Sequence, residues 1–282
     1  MEHQPASSTH AAEVARGERF EFGANWRRFL ASLDDARIDS AVRSLREMLE
    51  VENLQGRRVL DAGSGSGLFS LAARKLGAEV HSFDFDPQSV ACTAELRERY
   101  FPGDPRWTVE EASVLDAGYV RGLGSFDVVY SWGVLHHTGS MWEGMENVAA
   151  AVAPGGVLFV ALYNDQGRPS RRWTAVKRTY NRLPKPLRWT VLVPAFVRLW
   201  GPTLARDAVA GRPLATWRGY AREGRGMSPW RDVVDWVGGW PFEVATPEAV
   251  FEFCRARGFE LRRLRTCGGG LGCNEFVFVR TG

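Results

Sequence analysis

The sequence predicts an α/β protein with a doubly wound, seven-stranded, mostly parallel sheet whose last strand is antiparallel. Three observations carry this expectation. Short apolar runs alternate with helical patterns from Arg58 onward, a glycine-rich turn follows the first run, and two further strand-like runs close the chain. A helical lid at the amino terminus and a helical insertion after the fifth strand complete the expected architecture.

In chain order, Ala31 to Leu54 has helical character, and Phe20, Phe22 and Trp26 just before it either form a lid or simply pack. Five strands are read at 57–62 (RRVLDA), 78–84 (AEVHSFD), 106–111 (RWTVEE), 126–131 (FDVVYS) and 156–162 (GVLFVAL). Ser66 to Leu76, Pro87 to Tyr100 and Met141 to Val152 are the helices between them, the middle one with Asp86 as cap and Pro87 at its first position. From 163 to 244 the pattern breaks into a stretch rich in Arg, Trp, Pro and Gly, read as an insertion. Thr246 to Arg257 then reads as a helix with a Thr cap, and FELRRLRT and NEFVFVR as an antiparallel pair. The expected division is 1–53 (tail and lid), 54–162 (core), 163–244 (insertion) and 245–282 (closing helix and strand pair).

A chain of 282 residues with 45% hydrophobic side chains buries one sizeable core with an embellishment. Residues 1–160 carry 15 basic and 23 acidic groups, a net −8, whereas 161–282 carry 21 and 10, a net +11, so the two halves suit different partners. Four cysteines (Cys92, Cys254, Cys267, Cys273) and a polar stretch from Met1 to Gly17 without an apolar run lead us to expect a reducing, cytoplasmic location. The longest apolar run, Trp189 to Trp200, contains Pro194 and Arg198 and is shorter than the roughly 20 residues of a membrane-spanning helix.

The turn at Val59 to Gly67 (VLDAGSGSG) lies between a strand and a helix. Gly63, Gly65 and Gly67 form G-x-G-x-G, with Leu68 where a nicotinamide fingerprint has its third glycine, and Asp61 stands two residues before the first glycine. A carboxylate there repels a pyrophosphate but suits a cationic amino-acid moiety. From Val59 to Leu162 the sequence resembles the class I S-adenosylmethionine-dependent methyltransferases, of Rossmann-like fold, whose first motif has this form. The resemblance implies S-adenosylmethionine as cofactor, held at its methionyl part by Asp61, Gly63, Ser64, Gly65 and Gly67. It implies Asp84 on the ribose hydroxyls, because a carboxylate accepts two hydrogen bonds in parallel, with Phe85 against the adenine. Ser113 and Val114 match the segment at the adenine edge, and Ser131 at the end of the fourth strand and Trp132 just after it lie beside the cofactor.

Two of the five histidines, His136 and His137, stand together in VLHHTGSMW, at the carboxyl end of the fourth strand where open α/β sheets keep ligands. Within the larger family this segment is similar to that of ubiquinone-biosynthesis-type O-methyltransferases: His137 falls on their histidine, while Gly133 and His136 fall on their carboxylates. Neighbouring histidines are poorly placed to chelate one ion, so no metal is expected. Either imidazole can serve as general base for a hydroxyl acceptor, or both only shape the pocket. The expected function is O-methylation of a small-molecule or lipid-linked acceptor. Carbon methylation, a cofactor-binding regulator without turnover and RNA methylation are the alternatives, and Tyr130-Ser131-Trp132-Gly133 lacks the Asn/Asp-Pro-Pro-Tyr of base-methylating enzymes.

The acceptor is expected on the same face, against Trp26, Tyr163, Asn164, Asp165, Gln166, Trp240, Asn274 and Glu275, although hydrogen-bonded turns explain the Asn and Asp residues equally well. Cys267 and Cys273 flank the glycines of TCGGGLGCNE as small residues rather than as a pair. Residues 168–200 hold nine basic residues and no acid, interleaved with aromatics. Such a stretch suits an anionic membrane surface, a phosphate-bearing acceptor, single-stranded nucleic acid or simply a helical cap with a solvated face. A second patch, 226–242, with three tryptophans, is expected to wall a pocket.

Overall fold

The computed structural model describes residues 9–31, 33–223 and 229–282; residues 1–8 of the polar amino-terminal stretch and 226–228 of the second aromatic patch lie outside them. The chain forms two compact units, one of Phe22–Arg172 with Phe242–Gly282 and one of Met1–Glu21 with Trp173–Pro241.

The first unit holds seven strands: β1 (Arg58–Ala62), β2 (Glu79–Asp84), β3 (Trp107–Glu111), β4 (Phe126–Trp132), β5 (Val152–Tyr163), β6 (Phe259–Arg265) and β7 (Cys273–Arg280). They pair in the order β3-β2-β1-β4-β5-β7-β6, and β7 runs antiparallel to both its neighbours. Alternation along each strand feeds two cores. Val59, Val80, Val128, Phe159 and Val277 point to one face, under α3 (Asp35–Leu49), α4 (Leu68–Lys75) and α5 (Pro87–Tyr100). Leu60, Phe83, Val129, Leu158, Val160 and Phe278 point to the other, under α7 (Met141–Ala150) and α12 (Pro247–Arg255). The predicted caps form: Asp86 accepts from the Gln88 N–H at 2.9 Å, and Thr246 from the Ala249 N–H at 3.2 Å.

Several boundaries differ from the sequence reading. The helical preface is α3, which starts at Asp35 because Asp34 caps it by accepting from the Arg37 N–H, and a separate helix, α2 (Gly23–Ala31), precedes it. The helix after the glycine loop begins at Leu68 rather than Ser66, since Gly67 at φ +78° cannot belong to it. Val152 opens β5 instead of closing α7, because it pairs with Phe126 of β4 ahead of a register shift. A short helix, α6 (Ala117–Gly122), was not expected; Asp116 caps it.

In the second unit, α1 (His10–Ala15), α9 (Trp189–Val209), α10 (Ala215–Glu223), α11 (Pro229–Gly238) and most of α8 (Arg168–Arg182) supply the helices. Tyr180, Leu192, Trp200, Val233 and Val237 form its core. Lys177 is fully buried there; its ammonium donates to the Trp236 carbonyl and lies 4.2 Å over the Trp236 ring, and burial holds its pKa well below the usual lysine range. Among the described residues, no helix is long and apolar enough to cross a membrane.

A buried polar chain crosses the first three strands. The Ser70 hydroxyl of α4 donates to Asp61, Ser82 of β2 donates to Ser70 at 2.8 Å, and the Trp107 indole of β3 donates to Ser82 at 2.9 Å. Burial pushes the Asp61 carboxyl up to about 7, with Ser70 pulling it down and the Asp84 charge pushing it further up. A carboxyl raised in this way is protonated more readily folded than unfolded, so its ionisation works against the fold as pH rises from about 4 to about 7. Thermal unfolding across that range is expected to show Asp61→Asn gaining on the wild type with rising pH, by a few kcal/mol at most. A constant difference between the two proteins would contradict it.

Candidate active site

The carboxyl ends of β1, β2 and β4 meet at one edge of the parallel sheet, and the predicted cofactor residues gather there. Gly63, at φ +89°, lies so close to the next loop that a Cβ on it would meet the side chain of Val134 at 2.4 Å. A Cβ on Gly65 would lie 3.2 Å from the Trp26 indole of α2. That helix is tied here because Asp86 accepts from the Gly23 N–H at 2.8 Å as well as capping α5. Ser64 bonds Thr93 at 2.9 Å, and Gly67 packs against the Thr93 backbone.

Asp84, at the end of β2, accepts from the Gly65 N–H through one carboxylate oxygen and from the Asp86 N–H through the other, each at 2.9 Å. Burial raises its pKa to about 6 against the pull of these bonds. Half-buried Phe85 follows it, and the Ala112 N–H donates to the Asp84 carbonyl, which brings Ser113 and Val114 alongside. As a carboxylate at the end of β2, Asp84 is an acceptor whose chemistry suits hydroxyl donors. Asp61 instead faces α4 through Ser70, and Ser131 donates to the Ala62 carbonyl at 2.8 Å, tying β4 to the end of β1.

Gly133 turns the chain out of β4, and Leu135–His137 form one 3-10 turn. His136 is fully buried; its ring lies 3.8 Å from that of Tyr163, and its Nδ1 accepts from the Tyr163 N–H at 3.3 Å, which places the ring proton on Nε2. His137 lies at the edge of this aromatic cluster, 4.9 Å from Phe22 and 5.3 Å from Tyr163. Phe242 closes the other side of Tyr163 at 5.4 Å.

Several of the predicted acceptor contacts are engaged in hydrogen bonds within the protein. The Asn274 amide donates to Asn164 at 3.0 Å, and the Asn274 carbonyl oxygen accepts from the Cys267 N–H. The side-chain amides of Asn164 and Gln166 donate to the carbonyls of Gly270 and Gly269. Asp165 accepts from the Gly167 N–H, and Glu275 accepts from the Trp132 indole at 3.0 Å. Trp240 belongs to the second unit, where Arg178 lies 5.3 Å over its ring. Among the described residues the cysteines form no disulfide, and no three metal-ligating side chains converge. Val134 and Glu243 are part of the edge but were not singled out from sequence: Val134 is an ordinary apolar residue beside the histidines, and Glu243 reaches Gly139 and Met141 from about a hundred residues away.

A model of the methyltransferase domain family matches residues 60–158. A ubiquinone biosynthesis O-methyltransferase of Methylobacterium sp. (strain 4-46) is 34% identical over 170 residues, covering 56% of this chain and 65% of that protein. A tRNA U34 carboxymethyltransferase of Methylococcus capsulatus is 31% identical over 151 residues, covering 52% of this chain and 45% of that protein. The chain therefore spans less than two thirds of either relative. The fold is shared with magnesium protoporphyrin IX methyltransferase from Synechocystis PCC 6803, solved with bound S-adenosylmethionine, at a TM-score of 0.54 and 14% identity over 98% of this chain and all of that one. Residues 60–158 thus match a methyltransferase domain, and the seven strands in this order form the sheet that the resemblance to class I S-adenosylmethionine-dependent methyltransferases implied.

Proposed function

We propose that this protein methylates an oxygen of a small-molecule or lipid-linked acceptor, with His137 as general base. The observation that carries this reading is the close approach of Val134 to Gly63, which lays the histidine loop directly on the glycine loop. The cofactor fits the residues at this edge: Asp84 for the ribose hydroxyls, Phe85, Ser113 and Val114 for the adenine, and the backbone of Gly63 to Gly67 for the methionyl part. When bound, S-adenosylmethionine supplies an electrophilic methyl on sulfur. The protein's own part is to orient the acceptor hydroxyl and take its proton. Of the two histidines, His136 is fully buried and committed at Nδ1 to the Tyr163 amide, whereas His137 keeps a solvent-exposed edge of 8%.

Asp84 accepts hydroxyl hydrogens best when ionised. Affinity for S-adenosylhomocysteine is therefore expected to weaken as pH falls below about 6, and Asp84→Ala to lose about a hundredfold, both read by calorimetry. Equal affinity at pH 5 and pH 8 would remove Asp84 from the site. For the base, His137→Ala should lose about 10²–10⁴-fold in turnover at unchanged cofactor affinity. Full turnover in that variant would assign the pair to shaping the pocket. The acceptor class is read by incubating the protein with methyl-labelled cofactor and cell extract. Label in the lipid or small polar fraction is expected; RNase-sensitive label would favour the RNA reading that the tRNA-modifying relative suggests.

Peripheral membrane contact would suit a lipid-linked acceptor. On α9, Trp189, Val193 and Val197 recur every four residues and are 63%, 45% and 60% exposed, and the surrounding stretch 168–200 carries nine basic residues and no acid. The wild type is expected to float with phosphatidylglycerol vesicles but not with phosphatidylcholine vesicles, and Val193→Asp with Val197→Asp to stay in solution. Equal flotation of the double variant would exclude this face.

A further inference from the structure

We propose that Glu243 is the positioning residue of the histidine loop, holding it on both sides of the base. This rests on the reading of His137 as that base. The Glu243 N–H donates to the His136 carbonyl at 3.0 Å, just before His137. Just after it, the Glu243 carboxylate accepts from the Gly139 N–H at 2.9 Å and from the Met141 N–H at 3.1 Å through both oxygens. One residue thus binds the loop at three points spanning His136 to Met141.

The need for such a group follows from the helix that comes next. The first N–H groups of α7 have no partner within the helix, and the side chain of Ser140 at the cap position makes no capping bond. Glu243 supplies the missing acceptor from elsewhere in the sequence and places its charge at the positive end of the helix. Glu243 is itself held. Phe242 packs 5.4 Å from Tyr163, the Ala245 N–H donates to the Tyr163 carbonyl at 2.9 Å, and the Asp165 N–H donates to the Ala245 carbonyl at 3.0 Å. Segment 242–245 is thereby an extra strand-like piece beside the end of β5, and Asn164 and Ala245 form a parallel bridge within it. None of the bonds made by Glu243 reaches the glycine loop. Its loss is expected to disturb the histidines and leave cofactor binding intact.

The test compares the wild-type chain with Glu243→Ala, Glu243→Gln and Glu243→Asp. Imidazole nitrogen NMR reads the tautomers of His136 and His137, which are two of only five histidines, and calorimetry reads affinity for S-adenosylhomocysteine. In the wild type, His136 is expected to carry its proton on Nε2 alone. Glu243→Ala should mix the tautomers, and Glu243→Gln, which keeps an acceptor oxygen at the same reach, should restore the single form. Glu243→Asp, with the charge kept but one methylene lost, should fall between, and covers the case in which the alanine variant does not fold. Affinity for S-adenosylhomocysteine should stay within about threefold throughout. Unchanged histidine signals in Glu243→Ala overturn the proposal, as does a histidine change that comes with a loss of affinity of about tenfold or more, because Glu243 would then support the fold at large. If the wild type itself fails to bind S-adenosylhomocysteine, the cofactor reading fails, while the histidine signals still decide the role of Glu243.

Discussion

Gly63 has no room for a side chain, and the layout of the site depends on that. At φ +89° the loop turns sharply out of β1, and Val134 fills the space a Cβ would need. The contact is possible because β1 and β4 are neighbours in a parallel sheet, so both strands release their loops at the same edge. With Val134 against the glycine loop, His136 and His137 follow within three residues and stack into the cluster of Tyr163, Phe22 and Phe242. A larger residue at position 63 would push Val134, and the histidines after it, away from the glycine loop.

Three carboxylates near this edge differ through their surroundings. Asp61 is turned inward and joins a hydroxyl chain through Ser70 and Ser82 to Trp107, so it ties α4 to three strands. Asp84 has the same acid chemistry, but its partners are backbone N–H groups at the rim, those of Gly65 and Asp86 among them. Glu243 is drawn to the start of a helix whose N–H groups lack partners, and burial raises its pKa while those N–H groups pull it down. Burial acts on all three in one direction, and the donors around each decide whether it faces inward to a hydroxyl, the rim or a helix start.

The hydrophilic residues near the end of β5 show where reading by residue type stops. Asn164, Gln166 and Asn274 are suited to recognising a polar acceptor, yet their amides bond to one another or to the carbonyls of Gly269 and Gly270. Amides take the nearest partners, and here the antiparallel register of β5 with β7 brings Leu162 opposite Asn274 and so delivers those partners. Element edges followed the same logic: Val152 joined β5 through its pairing with Phe126, and the six residues of α6 are too few to show a helical period.

The strands of the core, the caps at Asp86 and Thr246 and the glycine loop with its acid at the end of β2 were determined by the sequence alone, because each depends on residues a few positions apart. Local stereochemistry and side-chain alternation suffice for those. Which histidine is committed, which carboxylate faces inward, and what holds the histidine loop were decided only by tertiary structure. Val134 on Gly63 and Glu243 on Met141 join residues 71 and 102 positions apart, and contacts of that range exist only once the sheet has placed its strand ends together.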